Sequence, residues 1–250
     1  MKTSRSTRLQ DHRDCVECPI RDRAVCSRCD GVELETLNNL KSYETFAPGQ
    51  TIVWAGEETT FLGSVVSGVA TLSQTMEDGR RQMLGLLLPS DFVGRPGRSV
   101  ARMDVTAVSE VLLCKFRRSD FEAMIEDTPS ISQRLLEIMM DELDDAHQWM
   151  LILGRKTARE KIASFLAIIA RRQLPHDRLF AAPRLVFELP ITREAMADYL
   201  GLTLETVSRQ ISALKKEGVI EIEGLRQVVV PSFDRLLNET GDSGDVNLVV

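Results

Sequence analysis

The stretch Thr192–Leu214 reads TREAMADYLGLTLETVSRQISAL. Its apolar residues Met196, Leu200, Leu202, Val207, Ile211 and Leu214 keep helical spacing on each side of Gly201. Thr192 is a candidate N-cap with Glu194 in the first turn, and Thr203 can cap the second segment. Small Ala197 permits close helix approach, and Gly201 suits a sharp turn because positive φ is cheap for glycine. The pattern predicts a helix-turn-helix, whose second helix enters the DNA major groove; the plain alternative is an ordinary helical hairpin. The solvent face of the second helix presents Glu205, Ser208 and Arg209. Arg can grip guanine O6 and N7 bidentately, Glu can accept from cytosine N4, and Ser adapts. Val219–Ile222, then Gly224, then Gln227–Val230 read as a β-hairpin, which extends the motif to a winged helix-turn-helix.

Upstream, Arg184–Leu189 is a strand candidate, and Thr157–Arg172 an amphipathic helix with Thr157 as cap. Apolar residues Leu136, Met139, Leu143, Ala146, Met150 and Leu153 form a 3-4 heptad seam, which Gly154 is expected to end. Such a seam asks for a partner, most simply a second copy in a two-fold homodimer, although a core helix packed on its own domain shows the same pattern. Residues 45–120 are different: short apolar runs broken by glycines, with strands expected at Gln50–Trp54, Gly63–Gln74, Arg81–Leu88, Val105–Ala107 and Glu110–Phe116. They read as a small barrel or roll with an Asp78-Gly79 hairpin tip.

The 250 residues suit two domains, and 43% apolar with 27% charged residues excludes a disordered or collagen-like chain. The longest strong apolar stretch, Ile162–Ala170, is too short to span a bilayer, so no membrane partner is expected. The opening MKTSRSTRLQDHRD lacks the apolar region of a secretory signal, so a cytoplasmic protein with reduced cysteines is expected. The net charge of −6 hides an asymmetry: residues 155–235 hold 14 Lys+Arg against 10 Asp+Glu. That excess fits a polyanion partner. The bases around Arg155–Lys161 and Lys215–Lys216 are expected to meet phosphates at most. An enzyme is not expected: His12, His147 and His176 are the only histidines, and no G-x-S-x-G elbow, P-loop or G-x-G-x-x-G occurs.

Cys15-x2-Cys18-x7-Cys26-x2-Cys29 places four thiols in one short segment, and Cys114 sits apart in the apolar run Val111–Phe116. Clustered thiols favour zinc or iron–sulfur chemistry, and the spacing alone leaves both open. A lone Cys114 could be a remote cluster ligand or a small buried hydrophobe.

Together these features resemble the Crp/Fnr superfamily of transcription regulators, specifically its Fnr-type oxygen sensors. The stretch Gly201-Leu-Thr-Leu-Glu205-Thr-Val-Ser208-Arg209 is similar to the Fnr recognition helix, whose Glu-x-x-Ser-Arg reads TTGAT-type half-sites in an inverted repeat. The resemblance implies an α+β chain. A cysteine-rich segment occupies 1–30 and a cyclic-nucleotide-binding-like β-roll (jelly roll) 31–130. A dimerisation helix covers 131–154, a winged helix-turn-helix 155–237, and a flexible tail 238–250. It implies a 4Fe–4S cluster on Cys15, Cys18, Cys26 and Cys114, with Cys29 spare, in a homodimer that binds double-stranded DNA under low oxygen. RNA polymerase is the implied partner, with Asp78-Gly79 as candidate contact. The alternative keeps the fold and senses redox state through zinc or bare thiols.

Three departures qualify the resemblance. Ser90-Asp-Phe-Val-Gly94 is followed by Arg95 where the cyclic-nucleotide branch has Glu, and Arg98-Ser99 follows too closely, so cyclic nucleotide binding is not expected. The interval between Cys18 and Cys26 is longer than in the best-known Fnr branch, which makes Cys29 a possible substitute for Cys26. The seam position that is acidic in that branch is Ala146, beside Asp144 and Asp145.

Overall fold

A computed structural model describes residues 14–242. The chain divides between Met139 and Met140 into two compact units.

In the first unit, helix α1 (Gly31–Leu40) opens on an Asp30 capping box with Glu33. Eight strands follow: β1 (Lys41–Phe46), β2 (Thr51–Val53), β3 (Phe61–Ser67), β4 (Ala70–Thr75), β5 (Arg81–Leu87), β6 (Phe92–Val93), β7 (Asp104–Ala107) and β8 (Val111–Arg117). They form two four-stranded sheets, ordered β1-β8-β3-β6 and β2-β7-β4-β5. Helices α2 (Arg118–Asp127) and α3 (Pro129–Arg155) follow. The apolar run of β8 is nearly continuous because both its faces are buried. Val111 and Leu113 face the core between the sheets with Phe46, Val65 and Val105. Leu112, Cys114 and Phe116 face a second core, built with α1, Phe121 of α2, Ile131 and Leu135 of α3, and Cys15 and Cys29. Alternation along one strand thus carries Cys114 to the side where the cysteine segment lies.

Gly63–Gln74, expected as one strand, is two. Gly68 turns between β3 and β4 with φ +86°, and a Cβ there would stand 2.0 Å from the Glu110 carbonyl oxygen. The Asp78-Gly79 tip forms as expected, with the Gly79 N–H donating to the Met76 carbonyl.

In the second unit, α3 runs through Gly154 to Arg155, since one interior glycine costs only about 1 kcal/mol. Helix α4 (Ala158–Gln173) begins at the Thr157 capping box. Then come α5 (His176–Ala181), β9 (Leu185–Glu188), α6 (Arg193–Leu200), α7 (Leu204–Lys216), β10 (Glu221–Glu223), β11 (Gln227–Val230) and α8 (Phe233–Asn238). The hairpin β10-β11 pairs onto β9 as a three-stranded wing. The chain does not fray at Asn238: Thr240 is buried, Glu239 bonds Arg159 at 2.6 Å, and Asp242 bonds the nearly buried Lys156 at 2.7 Å. The remainder of the expected tail, 243–250, lies outside the described residues, as do 1–13 with His12.

Candidate nucleic-acid interface and metal centre

Helix α6 ends where Gly201 adopts the left-handed conformation, φ 62° and ψ 42°. The Thr192 hydroxyl caps α6, accepting from the Ala195 N–H, and the Thr203 hydroxyl caps α7, accepting from the Thr206 N–H. Lys161 Nζ donates to the Leu200 carbonyl at 3.2 Å, placing a cation at the carboxyl end of α6. Val207, Ile211 and Leu214 are buried, and α7 packs against α4 and α6. This leaves Glu205 and Arg209 exposed and Ser208 partly exposed, one turn apart on a single face. Ser212, which the sequence reading passed over, extends that face; its hydroxyl donates to the Ser208 carbonyl at 2.8 Å.

The bases expected near phosphates divide into two groups. Lys156 donates to Ser164 Oγ and Asp242, Arg159 is held by Glu217 and Glu239, and Lys161 caps α6. These three hold the fold rather than offer free charge. Arg155 at the end of α3 and Lys215 and Lys216 at the end of α7 stay exposed.

On α3, Leu136, Leu143, Ala146, Met150 and Leu153 are exposed, with Leu136 at 63% and Met150 at 71%. Met139 is less open than the other five seam residues. It packs partly buried on the core of the first unit, and Met140, at 50% exposure, lies on the open side. Trp149 and Ile152 serve the second unit, Trp149 stacking 4.3 Å from the Tyr199 ring and Ile152 fully buried.

The cysteine segment is a series of turns. The Cys15 N–H donates to Asn38 Oδ1 at 3.2 Å, and the Arg21 guanidinium donates to the Cys26 carbonyl and, at 2.9 Å, to that of Cys29. Arg28 pairs with Glu137 at 2.6 Å, and Arg134 donates to the Arg23 carbonyl at 2.9 Å, which fastens the segment to the first half of α3. Burial raises the Cys18 thiol and pushes Cys26 up to about 11, while Arg21 opposes both. Burial also raises Cys114, and the thiolates of Cys15, Cys18 and Cys26 raise it further. Those four sulfurs therefore lie within one another's field. Cys29 is also raised to about 11 by burial, with Cys26 and Glu33 raising it further and a hydrogen bond with Ser130 opposing. Among the described residues, no three Cys, His, Asp or Glu side chains are placed to hold one metal ion.

Residues 43–128 match the model of the cyclic nucleotide-binding domain, and residues 160–239 that of the Crp-like helix-turn-helix domain. The chain is 61% identical to the transcriptional activator protein FnrL of Cereibacter sphaeroides, over 94% of this chain and 95% of that one. The chain belongs to the Crp/Fnr family of transcription regulators. The nitrogen fixation regulation protein FixK of Bradyrhizobium diazoefficiens is 38% identical over 83% of this chain and 86% of its own. The structure of FixK2 from Bradyrhizobium japonicum superposes with a TM-score of 0.72 at 32% identity, covering 81% of this chain and 98% of that one. This Crp/Fnr regulator is accordingly a DNA-binding transcriptional activator of the FnrL/FixK type, and its relatives are regulators rather than enzymes. No helix among its described residues is long and apolar enough to cross a membrane.

Proposed function

We propose that the protein is an oxygen-responsive, cytoplasmic activator that binds DNA as a homodimer when its four neighbouring thiols hold a 4Fe–4S cluster. The observation that supports this reading is the gathering of the cysteine segment and Cys114 in one core: Cys15, Cys29 and Cys114 are buried there, with Cys18 and Cys26 packed against them. Thiolates suit an iron–sulfur cluster as well as zinc, and the resemblance to Fnr-type sensors favours the cluster. When bound, the cluster supplies an oxygen-labile centre of tunable potential. Arg21 offsets part of the negative charge that the thiolates bring, and Arg28 and Arg134 tie their segment to α3.

The seam of α3 then pairs with its copy through Leu136, Met139, Leu143, Ala146, Met150 and Leu153. Glu205, Ser208 and Arg209 read the edges of a TTGAT-type half-site, and two-fold symmetry places the half-sites about one helical turn apart. RNA polymerase is the partner that activation requires, with the Asp78-Gly79 tip as candidate contact. The β-roll takes no cyclic nucleotide in this reading, because Arg95 stands where a ribose-binding carboxylate is needed.

The test is an anaerobic absorption spectrum with iron and sulfide analysis, followed by DNA binding before and after air. A broad blue–violet band that bleaches in air, with affinity for the inverted repeat falling in parallel, is expected. A featureless spectrum with stoichiometric zinc, or DNA binding indifferent to air, would replace this reading with the zinc or thiol one.

A further inference from the structure

Strand β8 lies between β1 and β3, and Cys114 stands in register with Tyr43 on one side and Ser64 on the other. Residues opposite each other in an antiparallel pair share a face of the sheet. The face here is the one lined by Leu62, Leu112 and Phe116, against which the cysteine segment packs. Among the described residues, three buried side-chain N or O atoms lack a hydrogen-bond partner: Tyr43 Oη, Ser64 Oγ and Arg134 Nε. Two of the three thus flank Cys114 in a single row across three strands. Buried hydroxyls are normally satisfied, because burial strips their water and a missing partner leaves that loss unrepaid. Phenylalanine and alanine would fill the same places without that cost. Tyr43 Oη also lies in the field of the Cys114, Cys18, Cys15 and Cys26 thiolates.

We propose that Tyr43 and Ser64 are positioning residues for the iron–sulfur cluster: their hydroxyls donate O–H···S hydrogen bonds to the Cys114 sulfur or its neighbours once the site is loaded. The inference rests on the proposed cluster. Hydrogen bonds to cluster sulfurs stabilise the reduced, more negative state and so raise the reduction potential. Both hydroxyls are satisfied in the loaded chain and unsatisfied in the empty one, which makes loading more favourable without a fifth ligand.

The experiment compares the full-length wild type with Tyr43→Phe, Ser64→Ala, the double variant and Ser64→Thr. Each is loaded anaerobically, assayed for iron and sulfide, and titrated with dithionite through mediators, which delivers one electron to the cluster and breaks no bond. The double variant should take up that electron about tenfold less favourably, a potential about 59 mV more negative. The single variants should fall between, and Ser64→Thr, which keeps the hydroxyl, should match wild type. Melting of the unloaded chain provides the control: removing a hydroxyl that has no partner there should leave the midpoint unchanged or raised. A variant that melts like wild type when empty yet retains less iron also supports the proposal. Fully loaded variants with an unshifted potential would overturn it while leaving the cluster intact. So would unloaded variants that lose as much stability as loaded ones. A wild type without iron and sulfide would overturn the cluster itself.

Discussion

On α7 the groups that set the helix in place are answered within the chain. Thr203 caps the first turn, Lys161 caps the helix before it, and three apolar residues fix the rotation of the helix about its axis. In the segment from Cys15 to Cys29 the chain stops short. Burial raises the thiols of Cys18, Cys26 and Cys29, and two hydroxyls across the sheet have no partner among the described residues. A DNA-reading helix meets a large, external partner and has to be finished beforehand. A regulated metal centre has to be unfinished without its ligand, since otherwise loading and loss would change nothing.

The sharpest way to break this comparison is at α3. Leu143→Glu places two like charges at the proposed two-fold seam, and unpaired burial costs at least several kcal/mol. Sedimentation of the loaded protein should show a monomer, whose half-site recognition survives and whose affinity for the full repeat is lost. A dimer would move the interface off this helix.

Next in size is the reading face. Arg209→Ala should lose about 1–3 kcal/mol of preference for the G·C pair of the half-site. Lys215→Ala should instead weaken all sequences alike and lower the salt slope by about one. Competition against half-sites altered one base pair at a time, at two salt concentrations, separates the two. Thr203→Ala, which removes the cap without touching a base, should cost about 1 kcal/mol of stability, read by thermal melting, with the order of base preference unchanged.

The thiols give a smaller, pH-dependent signature in the unloaded protein. The fold opposes ionisation of Cys26 and Cys29, raising each from 9.0 to about 11. Their contribution to stability is therefore intact below pH 9 and lost as pH rises towards 11, because the unfolded chain releases those protons first. The melting midpoint should fall across that interval, less steeply in a Cys26→Ala, Cys29→Ala double variant. An unchanged slope would mean that the folded state does not hold these thiols protonated.

Recognition was legible where local signals suffice. The spacing around Gly201, the two threonine caps and the wing hairpin follow from sequence, because each depends on residues a few positions apart. Helix α1 and strand β1 were not legible: GVELETLNNL buries only Leu34 and Leu37, and KSYETF only Phe46, so neither shows a clear period. That gap hid Tyr43, whose role depends on standing opposite Cys114, 71 residues away in sequence. The packing of Met139 was hidden for a related reason. A heptad cannot tell which flank of a helix its own domain claims, and the core around Leu135 claims Met139. The five cysteines were visible, and their proposed division into four and one came with the resemblance. What needed the tertiary fold was the strand alternation that carries Cys114 to the face where the cysteine segment packs.

That division is tested most directly by iron and sulfide analysis of the five single Cys→Ala variants, each prepared without oxygen. The account predicts loss of both elements in Cys15→Ala, Cys18→Ala, Cys26→Ala and Cys114→Ala, and wild-type content in Cys29→Ala. Retention in Cys114→Ala, or loss in Cys29→Ala together with retention in Cys26→Ala, would contradict it.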